Sequence, residues 1–136
     1  MSDFGKLLTA VITPFDNNGV LNTDTLWRLC KKLVHEKSDG LVLSGTTGES
    51  PNLTKEDRKI IYSTAKESVG GKAKIIAGTG TYSTRESIEY TKMANDIGVD
   101  GVMIVTPYYS KPSQFGILQH FEQISKNTDL PIMAYN

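Results

Sequence analysis

The segment Ile75–Val105, IIAGTGTYSTRESIEYTKMANDIGVDGVMIV, begins and ends with a short apolar run and has a helical pattern between them. Each apolar run has the length of a buried strand. Ser83 and Glu86 have the spacing of a capping box, which predicts the start of a helix, and Gly98 is placed to end it. Since parallel strands can be joined only through a crossover, this segment predicts a parallel β–α–β unit.

The same alternation continues towards both ends of the chain. Apolar runs of strand length occur at five places: Leu7–Ile12, Leu41–Ser44, Ile75–Gly78, Val102–Val105 and Ile132–Tyr135. Helical patterns fill the four intervals, the second starting near Thr54 and the fourth near Pro112. The pattern predicts an α/β fold, a single unit with about five parallel strands and four helices. Because the strands are apolar throughout, both a barrel and a doubly wound sheet remain open.

Bulk properties exclude several classes of function. The 136 residues include 15 Lys plus Arg and 15 Asp plus Glu, a balance that predicts neither a nucleic-acid surface nor a membrane partner. The N-terminus lacks the pattern of a secretory leader, and no apolar run approaches the ~20 residues that span a bilayer. We therefore expect a cytoplasmic protein. The length is about half of the ~250 residues of a closed eight-stranded α/β barrel.

Polar residues follow the predicted strands, where both architectures place their ligands. Gly45–Ser50 contains two adjacent threonine hydroxyls and several backbone amides, which together suit a small carboxylate or phosphate. An equally open interpretation is a β–α turn whose threonines satisfy backbone groups. Tyr108 and Tyr109 follow the fourth predicted strand, and Tyr135 is at the end of the fifth. A hydroxyl such as that of Thr46 can link tyrosines that pass protons. The alternative for these tyrosines is packing at a barrel rim or a subunit contact.

Other candidate groups favour structural explanations. Cys30 lies among leucines at helical spacing, which predicts a small buried residue. His35 and His120 fall in separate helices, so no metal site is predicted. Gly78-x-Gly80 has only part of a dinucleotide fingerprint, which leaves a nucleotide-binding doubly wound domain as a weak alternative.

Five motifs, in this order along essentially the whole chain, resemble the dihydrodipicolinate synthase / N-acetylneuraminate lyase family: Thr13-Pro14-Phe15, Gly45-Thr46-Thr47-Gly48-Glu49-Ser50, Ala77-Gly78-Thr79-Gly80, Thr106-Pro107-Tyr108-Tyr109 and Tyr135-Asn136. The resemblance implies a (β/α)8 TIM barrel of which residues 1–136 are the N-terminal half, with the C-terminal half absent. It also implies a Schiff-base lyase.

Within the family, the Gly-Thr-Thr-Gly-Glu-Ser and Thr-Pro-Tyr-Tyr motifs of this chain are more similar to those of the synthase branch than to those of the lyase branch. That branch condenses pyruvate with L-aspartate 4-semialdehyde to give 4-hydroxy-tetrahydrodipicolinate, on the route to diaminopimelate and lysine. The alternatives are a related aldolase, acting on N-acetylneuraminate or a keto-sugar acid, and a non-catalytic half-barrel module.

The resemblance also implies roles for individual residues. Thr46 and Thr47 would bind substrate, with Thr47 holding the pyruvate carboxylate through its hydroxyl and amide. Thr46 would link Tyr135 to Tyr109 in a proton relay, and Tyr135 would be the general acid/base. Because the tyrosine matched by Tyr109 reaches into the neighbouring subunit's site, the parent protein is expected to be a dimer or a dimer of dimers.

The lysine that forms the covalent pyruvate imine lies, in this family, on the sixth strand, beyond Asn136. The resemblance therefore implies no separate cofactor, and the 136 residues alone are expected to be inactive. Lys111 is the lysine that follows a predicted strand, but an exposed loop does not favour the neutral amine that this chemistry needs.

Members of the family that are inhibited by lysine bind it in a pocket at the dimer interface. The residues of this chain at the positions of that pocket are Ser50, Tyr82, Glu86 and Tyr108, a candidate regulatory site. The inhibited members have Asn in place of Tyr82 and His in place of Lys55, whereas Glu86 and Tyr108 match.

Overall fold

A computed structural model describes residues 4–136 of the chain. A 3₁₀ helix, Ser50–Asn52, precedes the second of four α-helices. The strands and α-helices alternate in the order β1 (Leu8–Ala10), α1 (Thr23–His35), β2 (Gly40–Leu43), α2 (Lys55–Val69), β3 (Lys74–Gly78), α3 (Thr84–Ile97), β4 (Gly101–Val105), α4 (Gln114–Ser125) and β5 (Ile132–Tyr135). Within the described part of the chain, no helix has the length and apolar content needed to cross a bilayer.

The order of the strands decides between the two predicted architectures. All neighbouring strands are parallel, and the sheet runs β1-β2-β3-β4-β5 without reversal. A doubly wound sheet reverses its strand order at a switch point, whereas a barrel adds each strand beside the previous one. The chain forms five strands and four helices of a half-barrel, so the predicted fold is confirmed and the doubly wound alternative is wrong.

Several element boundaries differ from those predicted. The second strand ends at Leu43 because Ser44 adopts a positive φ of 54°, which leaves the extended conformation. The fourth helix begins at Gln114 and not near Pro112, since Ser113 is its N-cap and accepts a hydrogen bond from the Gly116 amide at 3.2 Å. The alternation predicted the elements correctly, whereas their ends depend on single backbone conformations.

The capping box predicted for α3 is half correct. The Ser83 hydroxyl accepts from the Glu86 amide at 3.3 Å, but the Ser83 amide donates to Thr81 Oγ1 at 3.0 Å and not to the Glu86 carboxylate. A complete box is present at α2, where Thr54 and Asp57 each accept from the other's amide, at 3.1 and 2.9 Å. A nearer acceptor, Thr81, explains the difference at α3.

The two faces of the sheet have different roles. One face packs on the helices, and its core residues include Leu41, Leu43, Ile75, Ala77, Val102 and Ile104. Residues of the other parity, such as Ile76 and Met103, lie on the inner face, since side chains alternate along a strand. Cys30 is completely buried among the helix-side residues, as predicted, and burial raises the pKa of its thiol to about 11. Such a thiol stays protonated near neutral pH and is a packing group.

Gly78 and Gly80 allow β3 to approach its neighbours closely. A Cβ on Gly78 would lie 2.5 Å from the Ser44 carbonyl oxygen, and one on Gly80 would lie 2.4 Å from the Val105 amide nitrogen. Contact with the protein's own backbone therefore explains both glycines. Together with the strand order, this shows that the dinucleotide interpretation of Gly78-x-Gly80 is wrong.

We expect Gly78→Ala to destabilise the protein by about 3 kcal/mol, since the clash is with backbone that cannot rotate away. The measurement is the free energy of unfolding in urea. Gly19→Ala is the control: Gly19 has a positive φ of 76° but no atom within 4 Å of an added Cβ. It should cost about 1 kcal/mol, from backbone conformation alone. Equal losses in the two variants would contradict the steric argument.

Candidate functional site

A cavity of about 300 Å³ opens at the C-terminal edge of the sheet. Its lining consists of Ser44, Gly45, Thr46, Ser50, Pro51, Gly78, Gly80, Met103, Val105, Tyr108 and Tyr135. The strand register explains this grouping: Gly78 pairs with Met103, and Val105 pairs with Tyr135. Among the described residues the lining contains no charged side chain, so hydroxyls and backbone groups provide its polarity.

The Gly45–Ser50 loop is a compact turn attached to the end of β1. The carbonyl of Gly45 accepts hydrogen bonds from the amides of Gly48 and Ser50, at 3.1 and 3.2 Å. The buried Thr13 hydroxyl donates to the Gly48 carbonyl at 2.7 Å. These bonds use the carbonyls of the loop and hold its middle residues, Thr46 and Thr47, at the surface.

Thr46 and Thr47 keep their donors free. Within residues 4–136, neither their hydroxyls nor their backbone amides have a hydrogen-bond partner. Both residues are exposed, and Thr46 lines the cavity. The interpretation in which these two threonines satisfy backbone groups is wrong. Thr13, a residue outside the loop, does so instead.

Tyr135 and Thr46, two members of the predicted relay, line the same cavity. The Tyr135 side chain is 43% exposed, and in the part of the chain that the structure covers its hydroxyl has no partner. Tyr109, the third member, lies outside the cavity lining, is 95% exposed and has a positive φ of 67°. The geometry brings together two of the three residues, and the relay itself stays a prediction.

A second cavity, of about 180 Å³, adjoins the first and shares Ser50, Pro51 and Tyr108 with it. All four residues of the candidate regulatory site line it, and the rings of Tyr82 and Tyr108 meet edge to face at 5.5 Å. Burial, and then the proximity of Tyr82, raises the pKa of Tyr108. Lysine binding at this cavity stays a prediction.

Lys55 stands apart from the second cavity. It is absent from the lining, and its ammonium lies 3.9 Å from the Glu89 carboxylate on the outer surface of α2 and α3. The difference between Lys55 and the histidine implied for lysine-inhibited members therefore affects the surface beside the candidate regulatory site and not the lining itself.

The sequence pattern did not single out Arg58, which lines the second cavity and is 2% exposed. Its guanidinium donates to the Gly78 carbonyl at 2.9 Å, and to the carbonyl and hydroxyl of Ser50 at 2.7 and 2.8 Å. The spacing of Arg58 with Ile61 and Tyr62 places it on the buried face of α2. That spacing was the available signal, but arginine is a residue type usually expected at the surface.

The remaining candidate residues, the two histidines and Lys111, do not line the first cavity. His35 is exposed, whereas His120 is buried, its Nδ1 lies 2.9 Å from the Thr84 hydroxyl, and burial lowers its pKa. No cluster of three or more His, Cys, Asp or Glu side chains suited to a metal occurs in residues 4–136. Lys111 is exposed, with a φ of 45°, and does not line the cavity.

Comparisons with known proteins agree on one family. The model of the dihydrodipicolinate synthetase family matches residues 3–136. A 4-hydroxy-tetrahydrodipicolinate synthase from Desulforudis audaxviator is 52% identical over 134 residues, which are 98% of this chain and 46% of that relative. The chain therefore spans about half the length of the curated relatives it matches.

Solved structures show the same coverage. A dihydrodipicolinate synthase from Bacillus anthracis superposes with a TM-score of 0.97 at 46% identity, over 100% of this chain and 47% of that one. An N-acetylneuraminate lyase from Mycoplasma synoviae superposes with a TM-score of 0.91 at 32% identity, over 98% and 46% of the two chains. The fold is shared by both branches, and the sequence is nearer to the synthases.

Proposed function

We propose, from the premise that this chain belongs to the dihydrodipicolinate synthetase family, that its residues form the pyruvate-binding and proton-transfer part of a Schiff-base lyase. The full-length protein would condense pyruvate with L-aspartate 4-semialdehyde to give 4-hydroxy-tetrahydrodipicolinate. The observation that carries the proposal is the uncharged cavity lined by both Thr46 and Tyr135, whose donors are free in the described structure. The nearer identity to synthases than to a lyase supports the choice of substrates.

The loop donors suit the carboxylate of pyruvate. The amides and hydroxyls of Thr46 and Thr47 are unpaired among the described residues. Thr46 lines the cavity, and Thr47, the next residue of the same loop, is exposed and is not part of the lining. Several donors held in a fixed turn can share one anionic charge without a cationic side chain. Thr47 would hold the carboxylate, which orients the keto carbon of pyruvate towards the cavity.

The cavity also suits the amine chemistry of an imine. A lysine supplied by residues after Asn136, as the family resemblance implies, would enter a lining without charged groups. Burial away from water disfavours the ammonium form, so the amine would be neutral and able to attack the keto carbon. No metal or organic cofactor is needed for this step.

Proton transfer would fall to Tyr135, with Thr46 as the link to Tyr109 of a second subunit. A tyrosine hydroxyl can both donate and accept, so it can pass a proton to the leaving water during imine formation. Tyr109 projects into solvent from this chain. A residue that completes the site of a neighbouring subunit would be exposed in the same way. The proposal therefore includes a homo-oligomer, and we place this biosynthetic enzyme in the cytoplasm.

We expect the full-length protein to consume pyruvate with L-aspartate 4-semialdehyde at least about 10²-fold faster than with N-acetylmannosamine, the aldehyde partner of the lyase branch. Pyruvate depletion under identical conditions measures both reactions, and omission of the aldehyde is the control. Preference for N-acetylmannosamine would assign the protein to the lyase branch. No aldehyde-dependent depletion with either partner would contradict a pyruvate lyase.

A further inference from the structure

Arg58 is a buried, positively charged residue that forms no ion pair with an acidic side chain in the described structure. Its guanidinium is instead stabilised by hydrogen bonds to carbonyl oxygens and lies over the Tyr90 ring, 4.6 Å from the ring centre. A buried charge is costly unless its donors are used. The two terminal nitrogens of Arg58 donate to two specific backbone oxygens, whereas its buried Nε has no partner in the described structure.

The two residues that carry those oxygens, Ser50 and Gly78, line the first cavity. Ser50 is the last residue of the loop that presents Thr46 and Thr47, and Gly78 is the last residue of β3. Arg58 bridges them: Nη1 donates to Gly78 at the end of β3, and Nη2 donates to Ser50 at the start of the 3₁₀ helix. The Ser50 amide in turn donates to the Gly45 carbonyl, which closes the turn. A movement of Ser50 would therefore be transmitted to the threonine donors.

Tyr62 provides an internal comparison. Its hydroxyl donates to the same Gly78 carbonyl at 2.9 Å and is fully buried, but it makes no hydrogen bond to Ser50. Tyr62 and Arg58 thus share the contact with β3, and Arg58 alone of the two reaches the loop. Any effect on the loop beyond general packing should follow from Arg58.

We propose that Arg58 is a positioning residue that holds Ser50, and with it the donors of Thr46 and Thr47, in place for the substrate carboxylate. The proposal rests on the proposed function for the identity of the substrate. It does not require Arg58 to touch pyruvate. Its action is to fix the loop between the Thr13 contact at Gly48 and its own contact at Ser50.

The test compares Arg58→Met with Tyr62→Phe in the full-length protein. Arg58→Met should raise the KM for pyruvate by about tenfold or more, a loss typical of misplaced binding groups, with a much smaller change in the KM for the aldehyde. Tyr62→Phe should leave the KM for pyruvate near that of the wild type. Arg58→Lys, which keeps the charge but has a single donor nitrogen, should fall between them.

Three outcomes would overturn the proposal: an unchanged KM for pyruvate in folded Arg58→Met, an equal rise in Tyr62→Phe, or equal rises for both substrates. If Arg58→Met does not fold, Arg58→Lys decides by the same comparison. The backbone amide shifts of Thr46 and Thr47, recorded by NMR without substrate, should move in the Arg58 variants and not in Tyr62→Phe. That readout keeps its meaning even if the wild-type protein proves not to use pyruvate, an outcome that would reject only the proposed function.

Discussion

Replacing Tyr135 with phenylalanine is expected to slow turnover of the full-length protein by about 10²–10⁴-fold, the range for loss of a general acid/base group. Thr46→Val should have an effect in the same range, since it removes the hydroxyl that would link the tyrosines. Tyr135 and Thr46 line one cavity, and in the described structure neither hydroxyl supports another part of the fold. The loss should therefore appear in kcat rather than in stability.

The matched control is Tyr108→Phe, which makes the same chemical change in the lining of the same cavity. Tyr108 has no place in the proposed relay, so this variant should turn over close to the wild-type rate. Steady-state kinetics with both substrates, together with thermal unfolding of each variant, give the comparison. A Tyr135→Phe enzyme with near-normal kcat would remove this tyrosine from the mechanism.

The arrangement of the site could be predicted from the sequence because it follows from a general rule about parallel sheets. Alternating elements predict parallel strands, and parallel strands bring their C-terminal ends to one edge. The segment after β2 and the end of β5 could therefore be expected at the same edge before any contact was known, and Thr46 and Tyr135 do line one cavity. Cys30 was likewise predictable, since its neighbours at helical spacing are apolar.

Features set by contacts distant in sequence were not predictable in the same way. Barrel and doubly wound sheets share their local patterns, and only the pairing of each strand with the next distinguishes them. The capping of α3 depends on a competing hydroxyl, Thr81, two residues before the predicted cap. Arg58 was missed because its charge suggested exposure, although backbone oxygens from two separate segments accept its hydrogen bonds.

The second large effect expected is a difference in imine formation between the polypeptide of residues 1–136 and the full-length protein. A polypeptide of residues 1–136 is expected to form no imine with pyruvate, whereas the full-length protein should form one readily. In the described residues no lysine lines the cavity, and Lys111 is exposed in the loop before α4. The attacking amine must be both neutral and close to the keto carbon, and the positions of the lysines in this chain do not favour either condition. The carboxylate donors would remain, so pyruvate could bind without reacting.

Borohydride trapping with pyruvate, followed by digestion and mass mapping, tests the central claim that this chain binds pyruvate for a lysine located elsewhere in the protein. We predict one reduced adduct in the full-length protein, on a lysine after Asn136, and none in the polypeptide of residues 1–136. Borohydride without pyruvate is the control. An adduct on Lys111 or any other lysine of this chain, or no adduct in the full-length protein, would contradict the account.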